Sequence, residues 1–364
     1  MKTIAIDISQ TIYGTGVSNL TRDLVEAVLK KDHRNKYILF GASLRGYFRL
    51  RKFTAKHSIA KAIIIPVPIS FVKFFFNNLN IPVEFLCPGA DLFHCSDWIT
   101  PRGIKTKIIV PVYDLTTKIQ PQDHVLSTIN THELRLQRAI KYADFLTFLS
   151  ESTRNDFYKF YDFDPRKTAI IFPSTYLTQI KPANSIKTLK KFKINKKFIL
   201  SVSTLQPRKN LERLVKAFEK FNVEQKYQLI IVGPKGWGKI NINTDENIIQ
   251  TGFISNSELV SLYKKADLFV YPSLYEGFGL PIIEAMSFGL PVVSSDSSSM
   301  PEAGGGAAIY FDPVSVNDLT DKLKKVINYD TLKKKSISLK SIKQSKKFSW
   351  DKSAEALISI YESL

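Results

Sequence analysis

Tyr271-Pro-Ser-Leu-Tyr-Glu276-Gly-Phe-Gly-Leu-Pro281-Ile-Ile-Glu284-Ala-Met-Ser-Phe-Gly289-Leu-Pro291 begins at the end of one apolar run, Leu268-Phe-Val-Tyr271, and finishes on the start of another, Pro291-Val-Val-Ser294. A strand, a loop, a short helix and a second strand therefore follow one another, the unit from which parallel sheets are wound. Pro281 is pre-set for the first helical position, and Gly289 with Pro291 stops the helix, so the helix is predicted over 281–288. Glu276 then lies in the loop before it and Glu284 near its first turn. The amides of Gly277, Phe278, Gly279 and Leu280 face outward, where the helix supplies no acceptor for them. Glycines on both sides of Phe278 let a ligand reach the main chain without meeting a Cβ, and two carboxylates accept hydrogen bonds from a vicinal diol. An anion and a sugar are what such a mouth receives. The same residues also have a structural reading, with Glu284 complementing the helix dipole and Glu276 a solvated charge. The whole string, with two carboxylates and two glycines at fixed spacing, favours the ligand.

Outward from this stretch, short apolar runs alternate with helix-period segments along the chain. Strands are predicted at 3–8, 37–40, 62–66, 92–94, 107–112, 145–149 and 168–171, then at 198–203, 227–232, 248–250, 268–271, 291–294 and 308–311. Helices are predicted at 17–30, 130–142, 211–221 and 256–265. The alternation stops and restarts across 174–197, a segment rich in Lys, Pro, Asn and Ser without a clear period, which reads as the inter-domain linker and the entry to a second domain. The fold class is α/β, with two doubly wound units expected to face each other across a cleft. A length of 364 residues exceeds what one hydrophobic core usually serves, which agrees with two domains. The expected division is 1–176 with the C-terminal helix 350–364, and 177–349.

The first strand, with Asp7 interrupting its apolar run, leaves no signal-peptide core, so export is not expected. No apolar run is long enough to span a bilayer, since Pro66, Pro68 and Lys73 break the best one. Cys87 and Cys95 have no metal-ligand spacing and read as reduced thiols of a cytoplasmic protein. His94, His124 and His132 likewise form no ligand pattern, and no carboxylate cluster suits Mg²⁺, so neither a metal nor any other cofactor is expected. The formal charge is +19, shared as +9 up to Thr175 and +10 beyond it. Between His33 and Val83 there is no acid, while Arg45, Arg49, Arg51, Lys52 and Lys56 are interleaved with Tyr47, Phe48 and Phe53. Such a face suits an anionic membrane surface, and it also reads as the ordinary solvated face of a lysine-rich protein. The lysines of 322–352 read as solvated helix faces, because Leu319, Leu323, Val326 and Ile327 keep helical spacing among them.

Three further loops fall at the carboxyl ends of predicted strands, where open α/β sheets bind ligands. After 198–203 comes Thr204-Leu-Gln-Pro-Arg208-Lys209-Asn210, two cations beside a helix start with Asn210 as a candidate cap. A guanidinium bridging two oxygens and a mobile ammonium suit a diphosphate. After 3–8 comes Gly14-Thr-Gly16, which can admit a phosphate or an acceptor hydroxyl, or be only a turn. After 107–112 come Tyr113 and Asp114, where Asp114 can orient a sugar or acceptor hydroxyl or cap the next turn.

Glu276 and Glu284 enclosing Gly-Phe-Gly-Leu-Pro, with Arg208-Lys209-Asn210 after a strand, closely resemble the retaining glycosyltransferases of family 4, which have the GT-B fold. Phe148 to Arg154, Thr251 to Leu259, Ala266 to Val270 and Phe348-Ser-Trp350 extend the resemblance over nearly the whole chain. It implies transfer of a hexose from a nucleotide diphosphate sugar to a hydroxyl, with the anomeric configuration retained. It further implies that Arg208 and Lys209 hold the diphosphate and that Glu284 binds the ribose. Glu276 with the amides of Phe278 and Gly279 would bind the sugar, and the base would lie near Gly233, Thr251, Gly252, Phe253 and Ile254. The chain departs from the family at Tyr113, where many members have His, and at Pro173-Ser174-Thr175, where many have Gly-Val-Asp.

In overall style the resemblance is to users of GDP-mannose, with UDP-hexoses as the alternative donor. The expected protein is a peripheral enzyme of the inner membrane face that extends a lipid-linked or cell-surface glycan, with no nucleic acid partner. The other readings are a nucleotide-sugar epimerase, which would turn over donor without an acceptor, and a non-enzymatic basic adaptor, which would leave Glu276, Arg208 and Lys209 without a role.

Overall fold

The structure, a computed structural model, describes residues 1–14, 16–97, 99–238 and 240–364. The chain forms two compact units: unit 1 joins Met1–Pro173 to Ser349–Leu364, and unit 2 is Ser174–Phe348. Unit 2 is closed at its base by its own first and last residues, where Ser174 Oγ donates to the Phe348 carbonyl at 3.1 Å. The divisions expected at 176/177 and 349/350 accordingly move a few residues toward the N-terminus.

Among the described residues unit 1 contains seven parallel strands, β1 Thr3–Asp7, β2 Lys36–Ala42, β3 Ala60–Ile65, β4 Leu92–His94, β5 Lys107–Val112, β6 Phe145–Phe148 and β7 Thr168–Ile170, in the order β3-β2-β1-β4-β5-β6-β7. A parallel sheet covered by helices on both faces needs strands that are apolar throughout, as in the run Ile108 to Val112. Phe40, Phe93, Val110, Phe148 and Phe157 belong to its core. Helix Gly16–Lys31 packs on the C-terminal helix Trp350–Ser363. That last helix is tied in by polar contacts as well: Tyr361 Oη bonds His94 Nδ1 at 2.6 Å, and Lys2 Nζ donates to the carbonyls of Tyr361 at 3.0 Å and Glu362 at 3.1 Å. Burial disfavours the imidazolium of His94 and pushes its pKa down to about 4.

Unit 2 contains, among the described residues, six parallel strands, β8 Lys197–Val202, β9 Tyr227–Val232, β10 Ile248–Gly252, β11 Leu268–Tyr271, β12 Val292–Ser295 and β13 Ile309–Phe311, in the order β10-β9-β8-β11-β12-β13. The strand order reverses between β8 and β11, so the loops leaving these two strands flank the crevice where a doubly wound unit takes its ligand. Helix Leu211–Phe221 buries Leu211, Leu214, Val215 and Phe218 against helix Val316–Ile327, which contributes Leu319, Leu323 and Val326. The lysines of 322–325 consequently fall off the packed stripe.

Four local expectations are corrected. The segment 174–197 is not only a linker: it holds helix Ser185–Lys191, capped by Asn184 Oδ1 accepting from Lys187 N at 3.0 Å and docked on helix Asn256–Lys265 through Lys191–Glu258 at 2.6 Å. A helix of two turns with one buried residue, Thr188, has no apolar period to read. The helix expected over 130–142 starts earlier, as Leu126–Tyr142, and within it Thr131 Oγ1 donates to the Ser127 carbonyl at 2.7 Å, so a hydroxyl that often favours a turn is satisfied inside the helix. The signature helix is Leu280–Ser287, one residue ahead of the expectation, since Gly279 at φ 95° turns the chain and Pro281 stands second in it. Strand β10 runs two residues past Gln250, through a register shift to Gly252. Among the described residues no helix is long and apolar enough to cross a membrane.

Candidate active site

The loop leaving β8 ends in the short helix Pro207–Lys209, and Asn210 after it takes the left-handed conformation at φ 59°. Asparagine tolerates that region better than most residues. Its side chain does not cap helix Leu211–Phe221, as the sequence suggested. Nδ2 donates instead to the carbonyls of Pro272 at 3.0 Å and Pro313 at 2.7 Å, fastening this loop to those leaving β11 and β13. The Leu274 amide donates to the Arg208 carbonyl at 2.8 Å, so the β8 and β11 loops are also joined through main chain.

Arg208, Lys209 and Glu276 meet there. Arg208 Nη1 lies 3.0 Å from Glu276 Oε2 and donates to the Tyr275 carbonyl at 3.0 Å. Lys209 Nζ donates to Glu276 Oε1 and, at 3.2 Å, to Tyr271 Oη. Residue Glu276 is only 8% exposed. Burial works against its ionisation, but the two cations and their hydrogen bonds prevail and hold the carboxyl down at about 2. The cluster is charged at neutral pH, carries one net positive charge, and stands at the switch point of the sheet.

The backbone of the Glu276 loop is held by serines that the sequence reading passed over. Ser298 Oγ and Ser299 Oγ donate to the Glu276 carbonyl at 2.7 and 2.8 Å, Ser297 Oγ to that of Leu274 at 2.8 Å and Ser295 Oγ to that of Ser273 at 2.6 Å. The run Ser294-Ser-Asp-Ser-Ser-Ser299, placed at the carboxyl end of a strand, was the available signal. Tyr271 and Tyr263 were missed too, because in sequence they read as core aromatics. Tyr263 Oη donates to Glu284 Oε2 at 2.9 Å.

The other expected residues are distributed as follows. Phe278 is buried, its ring 5.1 Å from and nearly perpendicular to that of Phe348, so its side chain anchors the turn that Gly277, Gly279 and Leu280 complete. Gly233 has φ 147°, and a Cβ there would sit 2.0 Å from the Ser203 carbonyl oxygen, so the loop packing itself demands glycine. Its amide donates to the Gly252 carbonyl at 3.1 Å, which brings Gly233 and the Thr251–Ile254 segment together. Gly252, at φ 68°, has open space where a Cβ would point, Phe253 is 77% exposed, and Ile254 is buried. In unit 1, Gly14 at φ 71° and Gly16 also border open space, while Thr15 between them lies outside the described residues. Tyr113 is buried, its hydroxyl 3.2 Å from Thr21 Oγ1 and 3.3 Å from Gln10 Nε2, and burial pushes its pKa up to about 12. Asp114 Oδ1 accepts from the amide and the hydroxyl of Thr116 at 2.9 and 2.6 Å, an Asx turn just ahead of helix Thr116–Ile119. Among the described residues no group of three or more His, Cys, Asp or Glu could hold a metal ion.

A family model described as "Glycosyl transferases group 1" matches residues 184–344, nearly all of unit 2. The second unit thus matches the group 1 glycosyltransferases. This glycosyltransferase is 28% identical over 286 residues to the O-antigen chain mannosyltransferase B of Escherichia coli, covering 75% of this chain and 74% of that protein. To the serotype-specific mannosyltransferase WbdA of Escherichia coli it is 32% identical over 188 residues, covering 48% of this chain and only 23% of that larger protein. Its fold is that of WaaG, a glycosyltransferase involved in lipopolysaccharide biosynthesis, with a TM-score of 0.70 at 15% identity over 98% of this chain and 99% of WaaG. The two doubly wound units of the glycosyltransferase are thus those of the GT-B class.

Proposed function

We propose that this glycosyltransferase moves a mannosyl group from GDP-mannose to a hydroxyl of a lipid-linked or cell-surface glycan, retaining the anomeric configuration. The observation that carries the proposal is the Arg208–Lys209–Glu276 cluster at the switch point of unit 2, in a chain whose relatives are named mannosyltransferases. Arg208 and Lys209 take the donor diphosphate, Glu284 the ribose hydroxyls, and Gly233 with Thr251–Ile254 the base. Glu276 and the amides of Phe278 and Gly279 take the hexose. As the bond from the anomeric carbon to the diphosphate breaks, negative charge grows on the leaving oxygen, and two preorganised cations stabilise it more than they stabilise the bound donor. The acceptor oxygen bonds to the same face of the sugar, and its proton passes to the departing diphosphate oxygen. The positive charge that a metal would bring is supplied by the two side chains, and we propose that the reaction runs without a metal.

On unit 1 the helix Tyr47–Thr54 turns Leu50 and Phe53 inward and leaves Arg45, Phe48, Arg49, Arg51, Lys52 and Lys56 exposed on and around it, Phe48 by 83%. We propose that this face rests on the anionic inner leaflet, with about 1 kcal/mol from each cation near the surface. The test is transfer from GDP-mannose to a lipid-linked acceptor, with the anomer of the product read by NMR. A mannosylated product of the donor's configuration is expected. Transfer from UDP-hexoses alone, or an inverted product, overturns the donor or the retention respectively. Turnover of the donor without any acceptor would point to an epimerase.

A further inference from the structure

Tyr263 lies on helix Asn256–Lys265 and is fully buried, yet its hydroxyl reaches a carboxylate on another helix, Glu284 of Leu280–Ser287, at 2.9 Å. The ring cannot swing. Phe288 stacks on one side at 5.5 Å and 12°, and Phe269 of β11 packs at 5.8 Å and 49°. Burial and the adjacent Glu284 charge push the phenol well above its ordinary range, so it stays protonated and donates at every pH at which the protein works. A locked ring with a permanent donor leaves Glu284 Oε2 a single favourable direction. Core packing alone asks only for a ring at this position, for which Phe would serve; the hydroxyl has its use at Glu284.

We propose that Tyr263 is a positioning residue for nucleotide recognition, fixing the Glu284 carboxylate so that it meets the diol of a ribose and discriminates against a sugar lacking one of those hydroxyls. The proposal rests on the reading of Glu284 given above. A carboxylate free to change rotamer follows a missing hydroxyl at little cost, whereas a fixed one loses the bond it was set for, and selectivity between such ligands comes from the group that cannot rearrange.

The experiment uses the full chain and calorimetric binding of GDP, 2′-deoxy-GDP and 3′-deoxy-GDP, with the UDP series in parallel. The wild type is expected to bind the ribose form more tightly than at least one deoxy form. Tyr263→Phe, which removes one oxygen and keeps the stack, should weaken the ribose form by about tenfold and bring its ratio to the deoxy form toward one. With Glu284→Gln already present, the same change should have little further effect. Phe288→Leu frees the ring without touching the hydroxyl, gives the same loss of ratio, and serves where Tyr263→Phe folds poorly. An unchanged ratio in Tyr263→Phe, or in Phe288→Leu, overturns the positioning role while leaving Glu284 as the ribose ligand. A wild type that binds ribose and deoxyribose forms equally overturns the ribose reading of Glu284 and this inference with it.

Discussion

At the scale of single residues, Glu276 is the most constrained group of the site. One carboxylate with 8% exposure pairs with both a guanidinium and an ammonium, and removing it leaves two like charges side by side and largely buried. Glu276→Gln is therefore expected to abolish transfer and to lower folding stability by about 3 kcal/mol at neutral pH, as measured by denaturant unfolding without nucleotide. The pH dependence has a definite sign. A carboxyl held at about 2 in the folded protein, below its unfolded value, stabilises the fold at pH 5 and above and loses that contribution as pH falls toward 2. The stability gap between wild type and Glu276→Gln should therefore narrow steadily below pH 5, and a gap independent of pH would contradict the assignment. The two carboxylates and the two cations were legible in the sequence because their types and spacing carry chemistry. Tyr263, Tyr271 and Ser295 to Ser299 were not, since a buried aromatic or a serine run looks alike whether it fills space or holds a charged side chain or loop in place.

At the scale of elements, the signature helix depends on the turn before it. Gly279 stands at φ 95° and ψ 43° as its N-cap, and an added Cβ would come 3.2 Å from Ile282 Cδ1. Gly279→Ala should thus cost about 1–2 kcal/mol in backbone strain, seen as a lower denaturation midpoint, and should weaken nucleotide-sugar binding more than nucleotide binding because it displaces the loop amides. An equal effect on both ligands would remove those amides from sugar recognition. Most elements could be read from the sequence, among them β9, β11 and helix Leu211–Phe221, because buried parallel strands are apolar throughout and amphipathic helices keep their period. Helix Ser185–Lys191 could not, since docking rather than periodicity makes it a helix. The start of helix Leu126–Tyr142 was hidden for a related reason, as hydroxyl side chains that usually favour turns are satisfied there inside the helix.

At the scale of the whole molecule, ligand binding and surface charge give the remaining test. GDP at 100 times its dissociation constant should stabilise the folded chain by about 2.7 kcal/mol, a rise of several degrees in thermal melting. Absence of any shift with GDP, accompanied by one with UDP, would transfer the donor assignment to a UDP-hexose. The charge of +19 predicts that sedimentation with anionic vesicles weakens as salt rises, through a Debye length of about 10 Å at 0.1 M. Neutralising Arg49, Arg51 and Lys52 together should reduce that sedimentation and spare GDP binding; vesicle binding indifferent to both salt and these residues would retire the membrane face.

By itself the sequence determined that the chain builds two doubly wound units and that the second carries two cations and one carboxylate in loops leaving its strands and a second carboxylate in the helix that follows, because apolar period, glycine placement and charge type are local properties of the chain. Only the tertiary structure decided that Glu276 pairs with both cations, that Asn210 ties three loops instead of capping a helix, and that a buried tyrosine donates to Glu284. Those contacts join residues tens of positions apart, and strand order, not sequence spacing, brings them within hydrogen-bonding distance.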